Sequence, residues 1–442
     1  MRGPLTGLRV AVPGTGAAAW HAARLLGRLG ADVAAQADNH GAAADWAASG
    51  VMALTGRRDG PPVLPPGQTA SAVRGALRAI ELLCAVAGRE VDLPGMGVLS
   101  ERAALAGLRR DAPRSPGGAF RVLRAADAWV GLNLPRQSDV DLLPAWLEEA
   151  DPVLDEAVAR RRAGELAERA RLLGLPFAVL PSEPDEQSLA RGQVPFVLTG
   201  EPGARSWTLP PTVVVDLSSL WAGPLCAHLL GLTGARVIKV ESVTRPDGAR
   251  RGPREFYDLL HAGHESVVLD FAAAQGRAAL AGLLDAADVV IEGSRPRALR
   301  QLGIDADEVL SRARDKVWIG ITAYGRTGPW ANVPGFGDDA ALAAGLLAFD
   351  PGTGGPVPCG DAIADPVTGV NAALMAVACR MSGGAWLADL ALREQIAATL
   401  VDTGEPGLPG EVARPRRREP AGVAAELGRD TGKVLAELGL PC

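Results

Sequence analysis

The sequence predicts an α/β protein made of two related Rossmann-like parallel-sheet halves, with a small α+β subdomain between them. Three observations lead there. Short apolar strands alternate with helical patterns and tight loops, the arrangement of a helix-covered parallel sheet. One passage occurs twice, as LLGRLGADV over Leu25–Val33 and as LLGLTGARV over Leu229–Val237, each behind a strand and a turn. And 442 residues are too many for one typical core, so two or three domains are expected.

Taken in order, Leu8–Val12 reads as a strand, Pro13–Gly16 as a tight turn and Ala17–Leu29 as a helix. Gly14, Gly16 and Ala19 fit a loose dinucleotide fingerprint, but small residues suit any sharp strand-to-helix turn. A further helix, Ala76–Val86, and the echo of Asp389-Leu390 and Arg393-Glu394 in Asp92-Leu93 and Glu101–Leu105 complete this first half, assigned residues 1–110. Gly118–Leu123 and Ala128–Leu134 read as a hairpin, followed by helices, within a subdomain of residues 111–185. Residues 186–210, rich in Pro, Gly and charge, are expected to be a linker.

The second half, residues 211–442, carries strand patterns at Val213–Leu217, Ile238–Glu241, Ser266–Asp270, Asp288–Glu292 and Val317–Thr322. Ligands of such sheets gather at the C-terminal strand ends. The loops Arg245–Arg251, Arg295–Arg297 and Tyr324–Pro329 fall there. Scattered arginines are ordinarily solvated surface; several on one sheet edge suit a phosphate-rich ligand. A Pro/Arg-rich stretch and a terminal helix pair over Val423–Leu440 close the chain.

Composition excludes some classes. A net charge of -6 gives no footprint for nucleic acid. There is no apolar run long enough for a membrane span, and the N-terminus enters a strand without a signal-peptide core. The five cysteines stand singly without CxxC spacing, which points to a reducing cytoplasm and to no metal.

The stretch around Asp365 carries the chemistry. Pro366 suits the first position of a helix, which makes Asp365 the expected N-cap, its carboxylate ionised against free backbone N–H groups. The plain alternative is that Asp365 only caps. The repeat places Ser71 opposite Asp365, and serine caps as well as aspartate but has no carboxylate. On that comparison the first half keeps a cap and lacks the chemistry. Asp361, four residues upstream, has no assigned role.

The chain resembles the family III CoA-transferases. The resemblance rests on Asp216-Leu217-Ser218 with Ala222-Gly223-Pro224, on Gly234–Glu241, and on Ser266–Asp270. It continues through Ala287–Glu292, Arg295-Pro296, Ile321–Pro329, Pro334-Gly335-Phe336 and the Asp-x-x-Thr-Gly pattern at Asp365. The chain looks like a fusion of two partial family copies. The resemblance implies that Asp365 is the nucleophile and that coenzyme A, as substrate, contacts Arg295, Arg250, Lys239, Ala222, Gly223, Tyr324 and Gly325. It implies acyl-CoA and carboxylic acid substrates and, because members form interlocked dimers, a homodimer. Departures exist. His261–Ser266 replaces the usual Asn-x-Gly-Lys-x-Ser, losing a basic residue, and Phe336 stands where the racemase branch has a histidine. The alternatives are a silent CoA-binding relative, an acyl-CoA racemase, and a nicotinamide-dependent oxidoreductase using the Gly14–Ala19 turn.

Overall fold

The computed structural model describes residues 3–191, 194–203, 207–401 and 409–441. Fourteen strands occur among them. β1 (Arg9–Val12) and β2 (Asp32–Ala35) make a parallel pair in the first half. β3 (Phe120–Arg124), β4 (Trp129–Asn133) and β5 (Phe177–Val179) form the antiparallel subdomain sheet, the third strand unforeseen because Phe177–Val179 is too short to show alternation. Then follow β6 (Phe196–Gly200), β7 (Val213–Asp216), β8 (Arg236–Ser242), β9 (Glu265–Leu269), β10 (Val289–Glu292) and β11 (Lys316–Thr322). The short pair β12 (Leu347–Phe349) and β13 (Pro356–Pro358) and the strand β14 (Ala385–Ala391) complete the set.

The main sheet has the order β6-β14-β11-β10-β7-β8-β9. All its pairings are parallel except β6 on β14. The parallel strands run outward from β7 in one direction through β8 and β9, and in the other through β10, β11 and β14. That is a doubly wound order, with its switch point between β7 and β10. Helices cover both faces because the strands are apolar on both sides: Val214 and Val215 of β7, and Val289, Val290 and Ile291 of β10, are all buried.

The first half is thinner than its sequence pattern predicts. Its sheet stops at two strands, and its helices Ala17–Arg28 and Thr69–Val86 pack on each other and into the second half. One core cluster holds Leu26, Val73 and Ile80 of the first half together with Leu225, Val370 and Leu374 of the second. The halves nevertheless share a plan. β1 pairs β2 and β7 pairs β8 in parallel with the same sequence offset, Arg9 opposite Asp32 and Val213 opposite Arg236. A Cβ on Gly75 would stand 2.5 Å from Ala18 O, and one on Gly369 would stand 2.5 Å from Ala222 O. In each half a glycine thus lets a long helix approach the first helix of the strand–helix–strand unit.

Two expectations about connections need correction. The 186–210 linker contains the helix Glu186–Arg191 and the edge strand β6, so its described part is packed structure. The terminal helix pair reduces to one helix, Thr431–Glu437, because Gly428 (φ 73°) and Gly439 (φ 66°) break the backbone on either side. Cys84, Cys226, Cys359 and Cys379 are buried free thiols, and Cys442 lies outside the described residues. No helix among the described residues is long and apolar enough to cross a membrane.

Candidate active site

The long helix Ala364–Ser382 carries Asp365 in its first turn, beside the helix Ala222–Leu232 that follows β7. Asp365 is not the N-cap. Ile363 occupies that position with helical angles, so Asp365 and Pro366 both lie inside the helix, and no side chain caps it. Pro366 is the third helical residue, two positions deeper than expected, where an N–H is still not needed. Ser71 is likewise within the first turn of Thr69–Val86, where its hydroxyl donates to Asp45 Oδ2 at 2.6 Å.

The Asp365 carboxylate lies against the backbone of the helix Gly337–Ala343. A Cβ on Gly337 would stand 2.5 Å from Asp365 Oδ2 and 2.3 Å from Ala362 O, so only glycine fits there. Around it stand Asp338, Asp339 and Asp361. Asp338 accepts the Ala362 N–H at 2.7 Å. Asp339 accepts from Asn133 Nδ2 at 2.8 Å and from the Phe336 N–H at 3.0 Å. Asp361, fully buried, is held bidentately by Arg102, at 2.8 Å from Nε and 2.6 Å from Nη2. The Arg102 guanidinium lies over the Trp221 ring, 5.2 Å from its centroid.

Ionisation also departs from expectation. Burial pushes the Asp365 carboxyl up to about 7, with Arg102 pulling it down and Asp338, Asp339 and Asp361 pushing it further up. Asp338 and Asp339 rise to about 7 as well, burial being the main cause for each. A helix N-terminus alone would keep Asp365 charged; three neighbouring carboxylates and desolvation outweigh it.

The expected CoA contacts fall into two groups. Arg295 sits at the start of the helix Pro296–Gln301, beyond β10 at the switch point, and makes no ion pair among the described residues. Burial and the nearby charges of Arg297, Arg136 and Arg245 hold its guanidinium below the usual range. These cations come from the loop after β8, from the start of the helix after β10 and from the subdomain. Ala222 and Gly223 open the neighbouring helix, and a Cβ on Gly223 would run into the Ser218 side chain at 2.0 Å.

The other group faces inward. Lys239 is buried and pairs with Asp216 at 3.2 Å and Asp247 at 3.1 Å. Arg250 is consumed by Glu241, at 2.6 Å from Nη2, and stacks 4.5 Å over Tyr257. Tyr324 is buried beneath Arg393 and Trp330. Gly325, at φ 102°, has Arg191 Nη1 where a Cβ would be, 2.0 Å away. The helix Glu186–Arg191 therefore covers the turn that was expected to face ligand. Gln187 adds donations to Tyr324 O at 2.6 Å and Thr327 O at 2.7 Å. Sequence spacing places these residues in or just after strands; it does not say which of them the connection between halves will cover.

Arg102, Asn133, Asp338 and Asp339 were not anticipated. The Asp338-Asp339 pair directly after Gly335-Phe336-Gly337 was a usable signal. Arg102 offered none, being remote in sequence from its partner Asp361. At the Gly14–Gly16 turn the Ala17 N–H, first of its helix, is taken up by His40 O at 2.8 Å.

Comparison with known proteins adds the decisive observation. Residues 209–415 match the model of CoA-transferase family III. The second half is thus similar to that family over the matched residues. An acyl-CoA transferase of Fusarium pseudograminearum is 32% identical over 36% of this chain and 38% of its own length. The succinyl-CoA–D-citramalate CoA-transferase of Chloroflexus aurantiacus is 27% identical over 42% of this chain and 50% of its own. The succinate–glutarate CoA-transferase of Agrobacterium fabrum is 30% identical over 36% and 43%. The chain thus spans half or less of the length of these curated relatives. Among solved structures, a CAIB/BAIF family protein from Brucella suis shares 27% identity over 43% of this chain and 55% of its own, with a TM-score of 0.40. The span matched by the family model takes in the switch point, Arg295 and Asp365.

Proposed function

We propose that the protein is a CoA-transferase that moves CoA from an acyl-CoA donor to a carboxylic acid acceptor, with Asp365 as nucleophile. The observation that carries the reading is the half-buried carboxylate in the first turn of the Ala364–Ser382 helix, next to a doubly wound switch point in a family III segment. With its carboxyl at about 7, a substantial share of Asp365 is ionised at neutral pH and poorly solvated, which favours attack.

The ionised oxygen attacks the thioester carbonyl. The C–S bond breaks, giving an acyl–aspartyl anhydride and CoA thiolate. The thiolate attacks the aspartyl carbonyl and expels the donor acid as its carboxylate, leaving an aspartyl-CoA thioester. The acceptor carboxylate attacks this thioester, forming a second anhydride and thiolate. Attack of the thiolate on the acceptor carbonyl yields the new acyl-CoA and restores Asp365. Two moderate steps in each direction replace one difficult exchange. Arg295, Arg297 and Arg245, which make no ion pair among the described residues, would hold the CoA phosphates from the loop after β8 and the start of the helix after β10. The shared plan of the two halves supports their origin as partial copies of one unit.

Relatives named for succinate, glutarate and citramalate make dicarboxylates the first substrates to test. Succinyl-CoA incubated with glutarate or citramalate should yield the acceptor's CoA ester, and hydroxylamine should trap acyl-activated Asp365 as a hydroxamate detectable by peptide mass. A second reading, a CoA binder without transfer, draws on His264: it stands where a lysine is usual and is buried with Nδ1 unpartnered. CoA binding with neither turnover nor hydroxamate, across a broad donor and acceptor screen, would favour it. Phe336 supplies no second base for racemisation, its N–H engaged by Asp339.

A further inference from the structure

The first half contributes more than a scaffold. Its helix Glu101–Ala106 sends two adjacent charges in opposite directions. Glu101 accepts from Arg418 at 2.8 Å, and Arg418 reaches His228 on the Ala222–Leu232 helix at 3.1 Å. That anchors the short helix on the second half. Arg102 then grips Asp361, and a Cβ on Gly117 would stand only 3.0 Å from Asp361 Oδ1, so the pair is enclosed. Next to Asp361, Ala362 is forced to φ 45°, costly for a residue with a side chain. Its N–H bonds Asp338 and its carbonyl accepts the Asp365 N–H at 3.0 Å. A continuous path of contacts runs from Arg102 through Asp361 and Ala362 to Asp365.

We propose that Arg102 is a positioning residue for Asp365: the first half, with serine where the second has its nucleophile, supplies the guanidinium that orders the carboxylate cluster and tempers its charge. The groups facing Asp365 are Asp338 and Asp339 from the Gly337–Ala343 helix, Asp361 from the loop before its own helix, and Arg102 from the first half. Arg102 is the cation among them, and its pull on Asp365 exceeds the push of Asp361. The inference rests on Asp365 being the nucleophile, but it has a readout that does not need turnover.

Carbodiimide with an amine labels a carboxyl in its protonated form, so labelling of the Asp365 peptide against pH, read by mass spectrometry, reports its titration in the full-length protein. Arg102→Met should raise the midpoint by about one pH unit or more, the scale of one lost neighbouring charge. Arg102→Lys should largely restore it. Because Arg102→Met strands Asp361, the double variant Arg102→Met/Asp361→Asn removes the pair as a whole; its midpoint should remain above wild type by a smaller margin. A wild-type midpoint in that double variant, or in a folded Arg102→Met, would overturn the proposal and leave Arg102 as a structural partner of Asp361. If transfer occurs, the acidic limb of its pH–rate profile should move upward with the labelling midpoint. If no variant and no wild-type sample transfers CoA, the proposed function fails while the labelling still judges Arg102.

Discussion

Replacing Asp365 by Asn separates the chemical role of the carboxylate from its cost to the fold. In the unfolded chain the carboxyl titrates near its ordinary 3.8; in the folded protein it titrates at about 7. A raised folded value means that the native state binds the proton more tightly. Its contribution is favourable below about pH 4 and is lost as pH rises toward 7. Between pH 5 and pH 8 this is a loss over two pH units, at 1.36 kcal/mol per unit about 2.7 kcal/mol at most. Asp365 is only half-buried, so solvent screening reduces this to roughly 1–2 kcal/mol. Asn carries no such penalty. Asp365→Asn should therefore be more stable than wild type at pH 8, with the advantage shrinking by that amount at pH 5, while transfer falls to background because an amide cannot form the anhydride. Chemical denaturation at the two pH values, with parallel transfer assays, measures both. An equal stability difference at pH 5 and pH 8 would refute the electrostatic account, and a folded Asn variant transferring at wild-type rate would refute the nucleophile.

Two further outcomes test the division between ligand-facing and structural residues. Arg295→Ala with Arg245→Ala should weaken CoA binding and flatten its salt dependence in calorimetric titrations, with little change in stability. Arg250→Ala should do the reverse, lowering stability by roughly 2–4 kcal/mol because Glu241 is left buried without its partner, while the salt slope of CoA binding stays at the wild-type value. Gly325→Ala should cost more than about 1 kcal/mol in denaturation, since φ 102° is strained for alanine and its Cβ would displace Arg191 from Asp389; a neutral substitution would mean that the helix Glu186–Arg191 does not seat on this turn.

Several features were legible in the sequence because they depend on local pattern. The strands of the main sheet declare themselves as short apolar runs between turns, since burial on both faces demands side chains of one kind. The repeated LLGxxGA passage marks the two halves, and the glycines Gly75 and Gly369 carry the helix approach in both, because only a missing Cβ permits it. Asp365 was singled out by its Asp-Pro junction and the Thr-Gly that follows. The same local logic misjudged its role as a cap by two helical positions.

What only the tertiary structure decided is which charges meet. Arg250, Lys239 and Arg295 look alike in sequence as basic residues in or just after strands, yet Glu241 and the Asp216–Asp247 pair claim the first two, while Arg295 has no ion pair among the described residues. Arg102 reaches Asp361 from the other half of the chain, and the two-residue shelf Asp338-Asp339 closes around Asp365 through the turn at Gly337. Hydrophobic periodicity fixes elements because each side chain answers to its own neighbours along the chain. A carboxylate's charge answers to every group within several ångströms, whatever its sequence distance, and that environment exists only once the halves have packed.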